Sequence, residues 1–170
     1  MPESVWLMPL KNLDDDACAV KLGEIAVLDV SDDQRRFVGE PLRMMLIGLA
    51  EDSRHPIAID ANGTAVGVLT LQTGAATLAG WTDDHSVWLL RGFLIDRRQQ
   101  GRGLGTLAAE AAVRAAAKLT AALGGAEAGV VLSVNEENPA ARAVYRKAGF
   151  EDRGQYLGGA GPQRTMYRGF

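Results

Sequence analysis

Cysteine is almost missing from this chain of 170 residues: Cys18 stands alone. A single thiol excludes an internal disulfide and fits a reducing, cytoplasmic setting. Histidine is nearly as scarce, and His55 and His85 stand in no ligand spacing, so no metal site is expected. Neither sign of charge is in excess. Eighteen Lys and Arg against 21 Asp and Glu leave a formal net charge of −3, which offers no basic surface to nucleic acid. No apolar run approaches a membrane span, and the first residues carry no cationic stretch leading into an apolar one. Neither a membrane partner nor a secretory signal is therefore expected. Internal repeats and dividing linkers are also missing, so residues 1–170 are expected to form one domain.

What is present suits a globular protein with a full core: 47% hydrophobic and 23% charged residues. Val5–Leu10 reads as a short strand. Asp14–Asp16 place acids where a helix start favours them, which predicts a helix toward Lys21. Gly23–Val30 suits a buried strand or a helix equally. Ser31-Asp32-Asp33-Gln34 matches a capping box and predicts a short helix through Val38, while Met44–Glu51 suggests another. After His55-Pro56, Ile57–Asp60 and Thr64–Gln72 flank Asn62-Gly63, a hairpin signature. Gly74–Asp84 reads as a loop. His85–Ile95 is a long strand candidate in which Gly92 marks a bulge or a close backbone approach. Leu104–Leu123 reads as a helix ended by Gly124-Gly125, and Val130–Val134 as a buried strand. Asn138 and Pro139 suit an N-cap and a first helical residue, and Ala141, Val144, Tyr145 and Ala148 recur at helical spacing up to Gly149. Phe150–Leu157 and Arg164–Phe170 complete the strands around the glycine-rich loop Gly158–Gly161.

The most telling segment follows Phe93-Leu94-Ile95-Asp96. There Gly101-Arg102-Gly103-Leu104-Gly105-Thr106 runs directly into the long helix. Glycines let main-chain N–H groups approach a ligand, and the helix start adds unpaired donors and the positive end of its dipole. Together they make an anion cradle, and phosphate is its usual occupant. A nucleoside-triphosphate loop requires Gly-x-x-x-x-Gly-Lys-Ser/Thr, and no lysine follows these glycines. A dinucleotide fingerprint requires glycine where Thr106 stands, and the turn lies late in the chain rather than in a first βαβ unit.

What is left, Gln100-x-x-Gly103-x-Gly105 after a bulged strand, resembles the coenzyme A pyrophosphate loop of the GNAT superfamily of N-acetyltransferases, whose pattern is Arg/Gln-x-x-Gly-x-Gly/Ala. A second element carries the likeness further. From Asn138 to Phe150 the chain is similar, position for position, to the superfamily's later Asn-x-x-Ala-x-x-x-Tyr-x-x-x-Gly-Phe. The two motifs stand in the expected order, joined by one helix and one strand. The resemblance covers residues 56–157 well and the first fifty poorly. Arg91–Asp96, Leu132–Asn135 and Val30–Val38 are further similar to bacterial diamine and polyamine acetyltransferases, the first of them if Gly92 is an inserted or bulged residue.

The resemblance implies a mixed α/β fold: a central, mostly antiparallel sheet of six to seven strands, splayed between strands four and five and flanked by helices. It implies acetyl-CoA as cosubstrate, no metal, and acetyl transfer to a primary amine, with a small molecule such as a polyamine as acceptor. A protein N-terminus or lysine, an amino acid or an aminoglycoside stays open as acceptor, as does a non-catalytic acyl-CoA sensor, and a homodimer is compatible. Phe93, Leu94 and Ile95 would offer main-chain groups to the acetyl carbonyl and the pantetheine arm, one N–H stabilising the oxyanion. Gly101, Arg102, Gly103, Leu104, Gly105 and Thr106 would hold the pyrophosphate through main-chain N–H groups, with the Gln100 and Arg102 side chains adding contacts. Tyr145 would be the general acid toward the departing thiolate, although its spacing also suits a core residue. Asn138 would touch the pantetheine, cap its helix, or both. The general base stays open among Glu24, Glu40, Asp83, Asp84 and His85, or proton loss through waters, and the acids at Asp14–Asp16 and Asp32-Asp33 would suit a cationic acceptor.

Overall fold

A type I′-like turn, with Asn62 at φ 53° and Gly63 at φ 81°, joins the first two long strands and sets the register of the hairpin. The computed structural model describes residues 3–170, and the rest of the fold is built outward from that hairpin. In chain order the elements are β1 (Trp6–Pro9), α1 (Asp15–Ala26), α2 (Asp32–Phe37), α3 (Pro41–Ala50), β2 (Arg54–Ala61) and β3 (Thr64–Gln72). There follow β4 (Trp88–Ile95), α4 (Leu104–Leu123), β5 (Gly129–Asn135), α5 (Pro139–Lys147), β6 (Glu151–Gly158) and β7 (Gly161–Gly169). The strands form one seven-stranded sheet in the order β1-β2-β3-β4-β5-β7-β6. Neighbours are antiparallel except β4 and β5, which run parallel and pair only at Trp88–Val130 and Leu89–Val131. This is the mixed α/β, centrally splayed sheet that the motifs implied.

The splay has a local cause at Gly92. Between Val68 and Thr70, β3 supplies one residue where β4 supplies two, and Gly92 takes φ 60° there. An extra residue bends its strand and raises its twist, so β4 turns away from β5 beyond Leu89. The bulge anticipated at Gly92 is therefore what opens the sheet.

Helices cover both faces. Trp88, Leu90 and Ile95 pack on one side with Leu104, Ala108, Ala112 and Ala116 of α4 and with Tyr145 and Ala148 of α5. On the other side Ala58, Val68 and Leu94 pack under Ile25 of α1 and Met45 of α3. A third cluster joins Leu89 and Val131 to Ala75, Ala76 and Ala79, in and beside a 3₁₀ turn at Ala76–Ala79.

Several expected boundaries shift for physical reasons. The helix that starts behind the Asp14 cap continues past Lys21 to Ala26, because Lys21 and Ile25 fall on one buried face. That resolves the ambiguous segment as helix up to Ala26. β2 contains Pro56 because β1 pairs only from Ile57 onward and no ladder bond is asked of it. β4 starts at Trp88 rather than His85, since Asp83 Oδ1 accepts from His85 N and turns the chain. β6 and β7 extend into the glycine-rich loop and leave Gly159-Ala160 as the turn between the paired Gly158 and Gly161.

Candidate active site

Gly101 and Gly103 take φ 79° and 78°, the left-handed region where a side chain is strained. A Cβ on either would meet nothing within 4 Å, so the space in front of the loop is open and backbone conformation is the reason for glycine. Gly103 is the N-cap of α4, and the first amides of the helix have no intrahelical acceptor. Gly105 serves packing: a Cβ there would stand 3.4 Å from Val144 of α5. Leu104 is 1% exposed, so only its amide is available to a ligand. Open space, αL glycines and a helix N-terminus fit a pyrophosphate. The two polar side chains expected to help are engaged elsewhere. Gln100 Nε2 donates to Ile95 O at 3.1 Å, and Arg102 pairs with Glu3 at 2.7 Å and with Gln99.

Beside this loop lies the free edge of β4. Asp96 N donates to Val66 O at 2.7 Å, and a Cβ on Gly67 would run into the oxygen of Leu94. Main-chain groups alternate along a strand. Leu94 and Asp96 therefore face β3, whereas Phe93 and Ile95 face the gap toward β5. Of the three residues expected to offer main-chain groups, the geometry turns Phe93 and Ile95 to the gap, and Leu94 serves the sheet. The Ile95 carbonyl is held by two side-chain amides, from Gln100 and from Gln34 at 2.6 Å.

Across the gap, α5 brings Tyr145 against Phe93, ring centroids 5.7 Å apart, and against Phe150 at 5.9 Å. Burial alone pushes its phenol well above the ordinary value near 10, so the O–H stays protonated. Asn138 caps α5, its Oδ1 accepting from Ala141 N at 3.2 Å. α5 thus ties the parts together, setting Tyr145 against Phe93 of β4 and Val144 against Gly105 at the start of α4.

The five candidates for a general base have other tasks or lie outside. Glu24 accepts from Lys21 at 2.8 Å and from Ala65 N at 2.9 Å, while Glu40 pairs with Arg35 at 2.7 Å. Asp83 and Asp84 accept from the backbone of His85 and Thr77, and the Thr77 bonds hold the Asp84 carboxyl below its usual value. His85 is exposed. Asp14 is a helix cap, and Asp15, Asp16, Asp32 and Asp33 fill first helical turns on the surface.

Two residues inside the matched segments Arg91–Asp96 and Val30–Val38 take positions that the motifs did not assign them. Asp96, 2% exposed, accepts from the Arg98 side chain, from Asp29 N and from Arg98 N, and ties the end of β4 to the segment before α2. The Arg98 guanidinium, with the two backbone N–H groups, holds the Asp96 carboxyl at about 2. Gln34 closes the capping box of α2 with its oxygen and grips Ile95 with its nitrogen, so the capping-box signal could have found half of its role. Among the described residues no group of His, Cys, Asp and Glu is placed to hold a metal ion, and no helix is long and apolar enough to cross a membrane.

A family profile described as the acetyltransferase (GNAT) family matches residues 21–150. The chain is 26% identical over 150 residues to the Uncharacterized N-acetyltransferase YbbJ of Bacillus subtilis (strain 168), covering 86% of this chain and 89% of that protein. Among solved structures, the aminoglycoside acetyltransferase AAC(6')-Ib with coenzyme A and kanamycin gives a TM-score of 0.67 at 20% identity, over 98% of this chain and 94% of that one. The spermidine N-acetyltransferase of Vibrio cholerae, with CoA and spermine, gives 0.66 at 14% identity, over 97% and 95%. At such identities the two structures speak for the fold alone.

Proposed function

The chain belongs to the acetyltransferase (GNAT) family, and from that premise we propose that it moves an acetyl group from acetyl-CoA to the primary amine of a small molecule at the gap between β4 and β5. The observation that carries this reading is that β4, parting from β5 beyond Leu89, runs past a buried, protonated phenol at Phe93 and on to the αL-glycine loop, whose helix packs on the helix bearing that phenol. In this reading residues 1–170 act as one domain.

The amides of Gly101–Thr106 hold the pyrophosphate, which sets the pantetheine arm along the free edge of β4. Bound acetyl-CoA supplies the activated thioester carbonyl. Phe93 N–H, facing the gap, donates to the carbonyl oxygen as negative charge develops there. Tyr145 O–H donates to the sulfur as the C–S bond breaks and the C–N bond forms. A buried phenol is a weaker acid than a thiol, so this donor stabilises the thiolate by a hydrogen bond before any full proton transfer. The proton released by the amine leaves through water, since each candidate carboxylate already has a partner in the fold.

Two relatives of the same fold hold kanamycin and spermine, both amine-bearing small molecules, which supports an acceptor of that size. The surface acids proposed to receive a polyamine start helices instead, and lend that finer choice no support. The test is thiol release from acetyl-CoA with a panel of amines, alongside calorimetric binding of CoA. Amine-dependent release supports the transferase. Tight CoA binding with no amine acetylated favours the sensor.

A further inference from the structure

We propose that Arg91 holds an anionic group of the acceptor, so that the preferred substrate is an amine carrying a carboxylate at its far end rather than a polycation; this rests on the acetyltransferase reading. Leu89 and Arg91 alternate onto the sheet face away from α4, and Leu89–Val131 is the last pair between β4 and β5. Arg91 is thus the first side chain on that face beyond the point where the strands part. One residue further on comes the bulge, and then Phe93, whose N–H faces the gap.

The Arg91 guanidinium is half-buried and donates to a neutral partner, Gln72 Oε1, at 2.9 Å. No Asp or Glu oxygen lies within 4.0 Å of it among the described residues. Glu51, the acid that acts on it, is already paired with Arg54 at 2.7 Å. Lys11 adds a third cation, its ammonium on the carbonyls of Glu51 and Arg54 at 2.7 Å each. The sheet face over β2 and β3, toward which the Arg91 side chain leans, therefore carries more cations than the one Glu51 carboxylate balances. Partial burial removes water from Arg91 without supplying an anion, and an acceptor carboxylate completes the pair with charge-assisted hydrogen bonds. A polycation entering there meets repulsion.

The spacing narrows the acceptor further. Gln72 stands opposite Leu89, so the guanidinium lies between the levels of Arg91 and Leu89 along β4. At a rise of about 3.3 Å per residue that is about 7–13 Å from Phe93. An α-amino acid is too short to place its amine at Phe93 and its own carboxylate on Arg91. An ω-amino acid or a short peptide-like chain spans the distance.

The test compares 6-aminohexanoate with 1,5-diaminopentane, which share a five-methylene spacer and differ in the charge at the far end. The wild type is expected to show a kcat/KM about 10-fold or more higher for the amino acid. Arg91→Gln raises KM for 6-aminohexanoate by about 10- to 150-fold, the range for losing a hydrogen bond to a charged group. It leaves kcat, acetyl-CoA affinity, melting temperature and turnover of the diamine within about twofold, and Arg91→Lys recovers part of the loss. A wild-type preference for the diamine overturns the assignment while leaving the transferase standing, as does an equal loss for both acceptors in Arg91→Gln. Acetyl-CoA binding with neither amine, nor any other in the panel, acetylated overturns the transferase reading and the role of Arg91 with it.

Discussion

Replacing Tyr145 with Phe removes one oxygen from a ring that is 8% exposed and lies between Phe93 and Phe150. Burial raises the pKa of its phenol, and among the described residues no hydrogen bond acts on it. The substitution therefore leaves the apolar contacts and creates no orphaned partner, so folding stability changes by about 0.5 kcal/mol or less. For a chain of this length that is about 1–2 °C in Tm. Turnover responds differently. The O–H is proposed to meet the charge that develops on the departing sulfur, and a hydrogen bond to a charged group is worth about 1.5–3 kcal/mol. The expected loss in kcat is then roughly 10- to 150-fold, with CoA affinity unchanged. Thiol release in the presence of an accepted amine gives kcat, calorimetry gives CoA affinity, and a thermal melt gives stability. Because the phenol sits above its usual value, the wild-type rate should show no alkaline fall from Tyr145 near pH 10. A kcat within twofold of wild type refutes the donor role. A Tm loss above about 4 °C shows that the hydroxyl has a structural partner.

Gly103→Ala forces a side chain into φ 78°, which costs about 1–2 kcal/mol, and sets a methyl into the open space before the loop; CoA affinity by calorimetry should fall by about 10-fold or more, and normal binding refutes the pyrophosphate placement. Asp96 has a folded carboxyl at about 2 against 3.8 when unconstrained, so its stabilisation is present above about pH 4 and is lost as pH falls toward 2. At about 1.4 kcal/mol per pKa unit this is worth about 2 kcal/mol, so Asp96→Asn should be that much less stable at pH 7 and flatter between pH 4 and 2 in denaturant titrations. Lys21→Met leaves Asp60 buried without its cation, now 2.7 Å away, and Oδ1 of that carboxylate already has no partner among the described residues. A loss of about 3–5 kcal/mol is expected, about 6–20 °C in Tm, much of it restored by adding Asp60→Leu; unchanged stability refutes the buried pairing.

The parts of the candidate site that the sequence makes legible are those whose physics is local. The αL glycines before α4, the Asn138 cap with Pro139 behind it, and the capping box at Ser31–Gln34 all depend on neighbours within about four residues. Gly92 belongs with them, since a glycine inside a strand pattern marks a bulge wherever the strand ends up. The first fifty residues were harder. Gly23–Ala26 became helix because Lys21 reaches Asp60, 39 positions away, and because Ile25 finds the underside of the sheet. No periodicity within the segment carries that information.

Residue order therefore suffices for the cradle, the phenol-bearing helix and the family to which they belong, because each is written in short-range backbone preferences and side-chain spacing. Folding alone brings Gln34 onto Ile95 across 61 positions and Asp96 onto Asp29 across 67. It likewise leaves Arg91 beside Arg54 with Glu51 already spent, and turns Phe93 rather than Leu94 to the gap. Those outcomes follow from strand register and from one extra residue at the bulge. A shift of one position would reverse which groups face the opening, and only the pairing of distant strands sets that position.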